Sequence, residues 1–269
     1  PATARDFDDA ISLEKNANGH WVLGVHIADV SHFVRPKTAL DHMAKDRATS
    51  AYLPDRVIPM LPEVISNNLA SLQPDKVRYA MTARIEFSPE GQRIATEVTK
   101  SAIKSCRRFT YEEVDSYLAD RSGWKRKLSA EVHGLLGRMH ELAMLLRRRR
   151  MKRGSLELTV PGLSIDLDTD GQVTGAHLEE NTESHQIIEE FMLVANEAVA
   201  EMLHDHGLFF LRRVHGAPDP RKLKALNEFV KELGLKAESL ESRFALQDLL
   251  EAVKGDSRQH AVNYSVLRS

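Results

Sequence analysis

Three aspartates crowd into four positions, Asp6-Phe7-Asp8-Asp9, directly ahead of the stretch Ala10-Ile11-Ser12-Leu13. Apolar Ile11 and Leu13 mark the start of a strand, so these carboxylates sit at a strand entrance and not on a solvated tail. Like charges held close repel, and burial raises their pKa values unless a cation neutralises them. A hard divalent cation such as Mg²⁺ is the common solution, because it takes carboxylates and phosphate oxygens together. In extended backbone Asp6 and Asp8 point one way and Asp9 the other, so bringing all three together requires a bend at the entrance. The competing reading is a solvated acidic turn, and spacing alone leaves both open.

The surrounding pattern predicts hairpins. Residues 10–14 and 21–28 flank Asn16-Ala17-Asn18-Gly19, whose Asn-Gly supplies a tight turn, and Trp21, Leu23, Val25 and Ile27 alternate to one face. A short helix is expected near 39–47, with Thr38 and Asp41 as its capping pair. Residues 53–75, with Pro54, Pro59, Pro62 and Pro74, read as a long stiffened loop, packed because it carries Val57, Ile58, Met60 and Leu61. Strands near 79–87 and 92–103 flank Ser88-Pro89-Glu90-Gly91. A helix begins at Thr110 with Glu113 as its capping partner, and long helices follow over 129–152 and 183–206. Strands are expected near 155–160, 163–167, 172–178 and 208–214, with two or three helices at the end. This is a mixed, α+β pattern without regular βαβ units or internal repeats.

Composition removes several classes. Of 269 residues, Cys106 is the one cysteine, which excludes an internal disulfide and a Cys-rich zinc site and fits a reducing compartment. The net charge of −2 gives no global basic signature, though a local basic channel is compatible with it. No apolar run reaches the roughly 18 residues of a membrane span.

Other candidates each have a plainer alternative. In His26-Ile27-Ala28-Asp29-Val30-Ser31-His32, His26 and Asp29 could share a polar network, but a hydrogen-bonded structural histidine explains His26 as well. The run Arg147-Arg148-Arg149-Arg150-Met151-Lys152-Arg153 reads either as a solvated helix end or as phosphate contacts. Asp166-x-Asp168-x-Asp170-Gly171 imitates a calcium loop, but His177 stands where the bidentate Glu belongs, so a hairpin turn is expected. Tyr52, beside the Pro-rich loop, is either packing or a stacking platform for a nucleobase.

Taken in order, these segments resemble the catalytic domain of the ribonuclease II/ribonuclease R family. The resemblance rests on residues 4–10 and 25–34, then on Thr49-Ser50-Ala51-Tyr52-Leu53-Pro54-Asp55-Arg56-Val57-Ile58-Pro59-Met60-Leu61-Pro62. Arg153-Gly154-Ser155-Leu156-Glu157-Leu158 and the Ile188–Ala198 stretch beginning Ile188-Glu189-Glu190-Phe191 complete it. It covers essentially the whole chain, and the His26–Val34 segment is more similar to the ribonuclease R branch. The resemblance favours the metal reading of the aspartates. It implies an RNB-type mixed α/β catalytic domain with an RNA channel. The activity it implies is processive 3′→5′ exoribonuclease action on single-stranded RNA, giving nucleoside 5′-monophosphates with Mg²⁺. The implied location is cytoplasmic.

By resemblance Asp6, Asp8 and Asp9 are three of four active-site aspartates. Asp6 and Asp9 would bind metal, Asp8 would be the most mutation-sensitive, and Tyr52 would stack near the 3′-terminal nucleotide. The family's first aspartate would fall one residue before Pro1. Its Arg-rich segment would lie beyond Ser269, and its flanking cold-shock-type and OB-type RNA-binding domains lie outside this sequence. Residues 1–269 are therefore expected to be a partial catalytic domain, poor in metal binding and inactive alone. The alternative is a catalytically degenerate RNA-binding module of the same fold. A generic metal phosphodiesterase explains the acidic cluster but not the later motifs.

Overall fold

The computed structural model describes residues 4–158, 162–168, 170–179, 181–214, 216–236 and 239–269. The chain divides into two compact units. The first is Pro1–Leu145 with Ile165–Ala176 and Asn181–Phe209; the second is Leu146–Ser164 with His177–Glu180 and Phe210–Ser269.

In the first unit, strand β1 (Asp9–Lys15) pairs antiparallel with β2 (Trp21–Ala28), and Leu13 faces Leu23 in register. Gly19 takes φ 77° in the connecting turn, a conformation that the Asn-Gly sequence anticipates. Helices α1 (Val30–Phe33) and α2 (Ala39–Arg47) follow, and the Thr38 hydroxyl accepts from Asp41 N at 3.3 Å as expected. The Pro-rich segment departs from the expected uniform loop. It forms a small ribbon of β3 (Ala51–Tyr52) and β4 (Val57–Ile58), then a π-helical turn at Ile65–Leu69. Its packing is as expected: Leu61, Ile65 and Ala70 are buried against Phe33, Val34, Leu40 and Ala44, which hold the turn in place.

Strands β5 (Val77–Phe87) and β6 (Arg93–Lys104) complete an antiparallel sheet of order β1-β2-β5-β6. Trp21, Leu23, Val25, Ala83, Ile85 and Phe87 are buried and occupy one face by strand alternation. Helix α3 (Tyr111–Ala119) starts in a full capping box: Glu113 N donates to Thr110 Oγ1, and Thr110 N donates to the Glu113 carboxylate. A short α4 (Arg121–Trp124) precedes α5 (Ala130–Lys152), which Gly154, φ 83°, follows two residues on.

Strands β7 (Gly162–Leu167) and β8 (Val173–Glu179) form a two-stranded ribbon. Helix α6 (Glu183–Asp205) packs across β2, β5 and β6, burying Ile187, Phe191, Ala195 and Ala198 at helical spacing.

In the second unit, α7 (Pro220–Glu232), α8 (Arg243–Ala252) and α9 (Gln259–Arg268) enclose a core of Leu226, Val230, Leu249, Leu250, Val253, Val262 and Val266. Two expected strands differ. Residues 155–158 are irregular, and 159 and 160 lie outside the described residues. Residues 208–214 are also irregular. Phe209, Leu211 and Val214 are almost fully exposed, and no partner strand lies beside them among the described residues. An alternating pattern becomes a strand only when a neighbour takes its backbone hydrogen bonds.

Candidate active site

The acidic entrance to β1 is held from both sides by backbone bonds. The buried Ser71 hydroxyl accepts from Phe7 N at 3.0 Å and donates to Arg5 O at 2.6 Å. Leu72 N donates to Phe7 O at 2.9 Å, and Ala28 N donates to Asp8 O at 2.8 Å. Asp9 is then the first residue in the ladder, opposite Ile27. The Arg108 guanidinium lies 4.6 Å from the Phe7 ring centre, so the segment leading into α3 runs alongside this entrance.

Electrostatics mark Asp8 as the crowded member. Burial pushes its carboxyl above the usual value, and the charges of Asp6 and then Asp9 add to the rise. Burial also pushes Asp9 up, opposed by a backbone hydrogen bond. Both residues keep exposed surface, so the cause is partial desolvation at the strand entrance and not enclosure in a core.

These carboxylates are hard-oxygen donors under mutual repulsion, which is the chemistry that suits a divalent cation. Yet among the described residues no group of three carboxylate, imidazole or thiol side chains gathers in a metal-holding arrangement. The cluster as it stands offers adjacent carboxylates and not a closed cage.

Two residues that the sequence did not single out form a pair, and the charge of Asp9 reaches one of them. Tyr111 opens α3, and its phenol is pushed up by burial and by the charge of Asp9. The His185 ring, from the first turn of α6, stacks on Tyr111 with centroids 3.8 Å apart and planes 18° apart. His185 Nδ1 lies 2.8 Å from Thr182 Oγ1, which donates to Asp115 Oδ2 at 2.8 Å. The 74 residues separating Tyr111 from His185 leave no local signal of the pair; only the capping box at Thr110 was legible.

The remaining candidates separate. His26 and Asp29 belong to two different networks. His26 bridges Ser12 Oγ at 2.9 Å and Thr82 Oγ1 at 2.8 Å, while the buried Asp29 accepts from Ser31 Oγ and His32 N. Tyr52 stands 70% exposed on its ribbon, and no hydrogen bond or ring contact links it to the aspartates among the described residues. In the arginine run, Arg147 pairs with Glu157 and Arg150 donates to Ser155 Oγ, while Arg148, Lys152 and Arg153 are exposed. Asp168 uses its carboxylate on the amides of Asp170 and Gln172, the hairpin turn that its sequence predicts; residue 169 lies outside the described residues. No helix among the described residues is long and apolar enough to cross a membrane.

A mixed α/β layer with carboxylates at the opening strand defines the class, and comparison with known proteins gives it a family. The chain belongs to the RNB domain family, whose model matches residues 1–269. It is 41% identical to ribonuclease R of Thermotoga maritima over 269 residues, covering 99% of this chain and 38% of that relative. It is similar to the solved structure of Mycoplasma genitalium RNase R in complex with ribose-methylated single-stranded RNA. There the TM-score is 0.93 at 31% identity, covering 100% of this chain and 42% of that one. The same enzyme in complex with double-stranded RNA gives a TM-score of 0.91 at 31% identity, covering 100% of this chain and 48% of the other. The chain thus spans about two fifths of the length of the Thermotoga relative.

Proposed function

We propose that these residues form the hydrolytic part of a processive 3′→5′ exoribonuclease that degrades single-stranded RNA to nucleoside 5′-monophosphates. The observation that carries this reading is the Asp6-Asp8-Asp9 cluster at the entrance of β1, with Asp8 lifted by burial and by both neighbours. Protein stability does not favour such crowding; binding a cation together with a phosphodiester does. Family membership and the RNA-bound RNase R structures support RNA as the substrate.

In this reading Asp6 and Asp9 would hold Mg²⁺, and Asp8 would orient the scissile phosphate or the attacking water. When bound, the ion supplies positive charge for the phosphate under attack. The Ser71, Leu72 and Ala28 contacts keep the carboxylates in place, so little reorganisation accompanies the reaction. Tyr52, exposed on the β3–β4 ribbon, stacks on the 3′-terminal base. The exposed Arg148, Lys152 and Arg153 add phosphate contacts that weaken with salt. The single cysteine fits the cytoplasm.

One observation favours a second reading, an RNA-binding module without chemistry: no three-donor metal set gathers among the described residues. One experiment separates them. The intact protein is given RNA and DNA oligonucleotides of the same sequence, with Mg²⁺ or with EDTA. Mononucleotides released from the 3′ end of RNA alone, and only with Mg²⁺, support hydrolysis. RNA binding without any release in Mg²⁺ supports the module.

A further inference from the structure

We propose that His185 is a positioning residue of this site: the Asp115–Thr182–His185 hydrogen-bond chain holds its ring flat against Tyr111 and so fixes Tyr111 beside the acidic entrance.

Proton counting gives the chain a direction. Thr182 has one hydroxyl proton, and a carboxylate only accepts, so that proton goes to Asp115 Oδ2 at 2.8 Å. Thr182 Oγ1 must then accept from both other neighbours, Ser184 Oγ at 2.9 Å and His185 Nδ1 at 2.8 Å. His185 is therefore held with its proton on Nδ1. Ser184 N also donates to Asp115 Oδ1 at 3.3 Å, so Asp115 is anchored at both oxygens.

The four residues close a loop. Tyr111 and Asp115 are one turn apart on α3, hence neighbours on one face, while Thr182 and His185 flank the start of α6. One end of the loop is a ring stack at 3.8 Å and the other a hydrogen bond at 2.8 Å. Ring rotation of His185 would break the Nδ1–Thr182 bond, and rotation of Tyr111 would break the stack. The backbone of Tyr111 is already fixed by the Thr110–Glu113 capping box. Proximity to the aspartates has two signs: Arg108, three residues before Tyr111, covers Phe7, and the charge of Asp9 reaches the Tyr111 phenol. The same network caps α6, because Asp115 takes Ser184 N in place of the Thr182 side chain, and the stacked His185 ring is what extends it to Tyr111.

Only the turnover part of the test rests on the hydrolytic reading. In the intact protein, ¹⁵N NMR should show a proton on His185 Nδ1, with slow flipping of the Tyr111 ring. Thr182→Val should speed the ring flip and lower kcat on RNA by about tenfold to a hundredfold. KM should stay within about twofold, because binding far from the reacting bond is intact. Thr182→Ser, which keeps the hydroxyl, should restore both readouts, and His185→Ala should match Thr182→Val. Assays at a fixed interval below each variant's own Tm remove differences in stability.

An Nε2–H tautomer in the wild type would overturn the proposal. So would unchanged kcat and ring flipping in Thr182→Val, or a Thr182→Ser variant as impaired as Thr182→Val. If the wild-type protein released no nucleotide, the hydrolytic reading would fail, while the tautomer and the ring-flip rates would still decide the role of His185. If Thr182→Val did not fold, the wild-type tautomer and Thr182→Ser would decide it.

Discussion

Ser71 holds Phe7 in place: its hydroxyl accepts from Phe7 N at 3.0 Å while donating to Arg5 O at 2.6 Å, across 64 residues of sequence. The backbone carrying the aspartates is thus set by a buried side chain from the end of the Pro-rich segment. Ser71→Ala leaves Phe7 N and Arg5 O without that partner. It should cost roughly 1–3 kcal/mol in denaturant unfolding, as buried unsatisfied groups do. Turnover at saturating RNA should fall as well, because the carboxylates lose their fixed frame.

Asp8 and Asp9 make a signed prediction with pH. Both are raised above 3.8 in the folded protein, by burial first and, at Asp8, by Asp6 and Asp9. The native state therefore binds protons more tightly than the unfolded one. Without metal, their contribution to stability is best below the unfolded value and worsens as pH rises through the raised folded values. Thermal melts from pH 4 to 7 should show this slope, Asp8→Asn should flatten it, and Mg²⁺ should raise Tm most at the high-pH end.

His26 carries the opposite sign. Burial lowers its pKa below 6.5, so the folded state prefers the neutral ring that bridges Ser12 and Thr82. Its contribution is complete above pH 6.5 and is lost as pH falls from there through the lowered folded value. His26→Gln should reduce the stability change between pH 7.5 and 5.

Gly24 makes the Ser12–His26 contact possible. A Cβ at this position would sit 2.4 Å from Ser12 Oγ and 3.0 Å from His26 Nε2. Gly24→Ala should therefore destabilise by about 1–3 kcal/mol, the usual cost of overpacking. Chemical denaturation is the check.

Local chemistry was legible wherever neighbours in sequence are neighbours in space. The Asn-Gly turn at Gly19, the Thr38 and Thr110 caps and the Asp168 turn all formed as their residue types require. The acidic entrance was legible because charge at a strand start breaks the ordinary pattern. Tyr111 and His185 were not, since each reads alone as a helix residue and only the pairing of α3 with α6 joins them. Likewise Asp115, from another helix, takes the Ser184 amide at the start of α6, where the N-cap residue Thr182 makes no side-chain cap bond. Residues 208–214 show the converse: their alternation is strand-like, but no partner strand lies beside them among the described residues, and pattern alone makes no ladder.

The most direct test replaces the carboxylate that crowding singles out. Single-stranded RNA labelled at its 5′ end is incubated with the intact wild-type protein and with Asp8→Asn in Mg²⁺, following both binding and nucleotide release. The account predicts stepwise shortening by the wild type, and release by the variant reduced below about a hundredth at near-equal RNA affinity. Release by Asp8→Asn at the wild-type rate would contradict it.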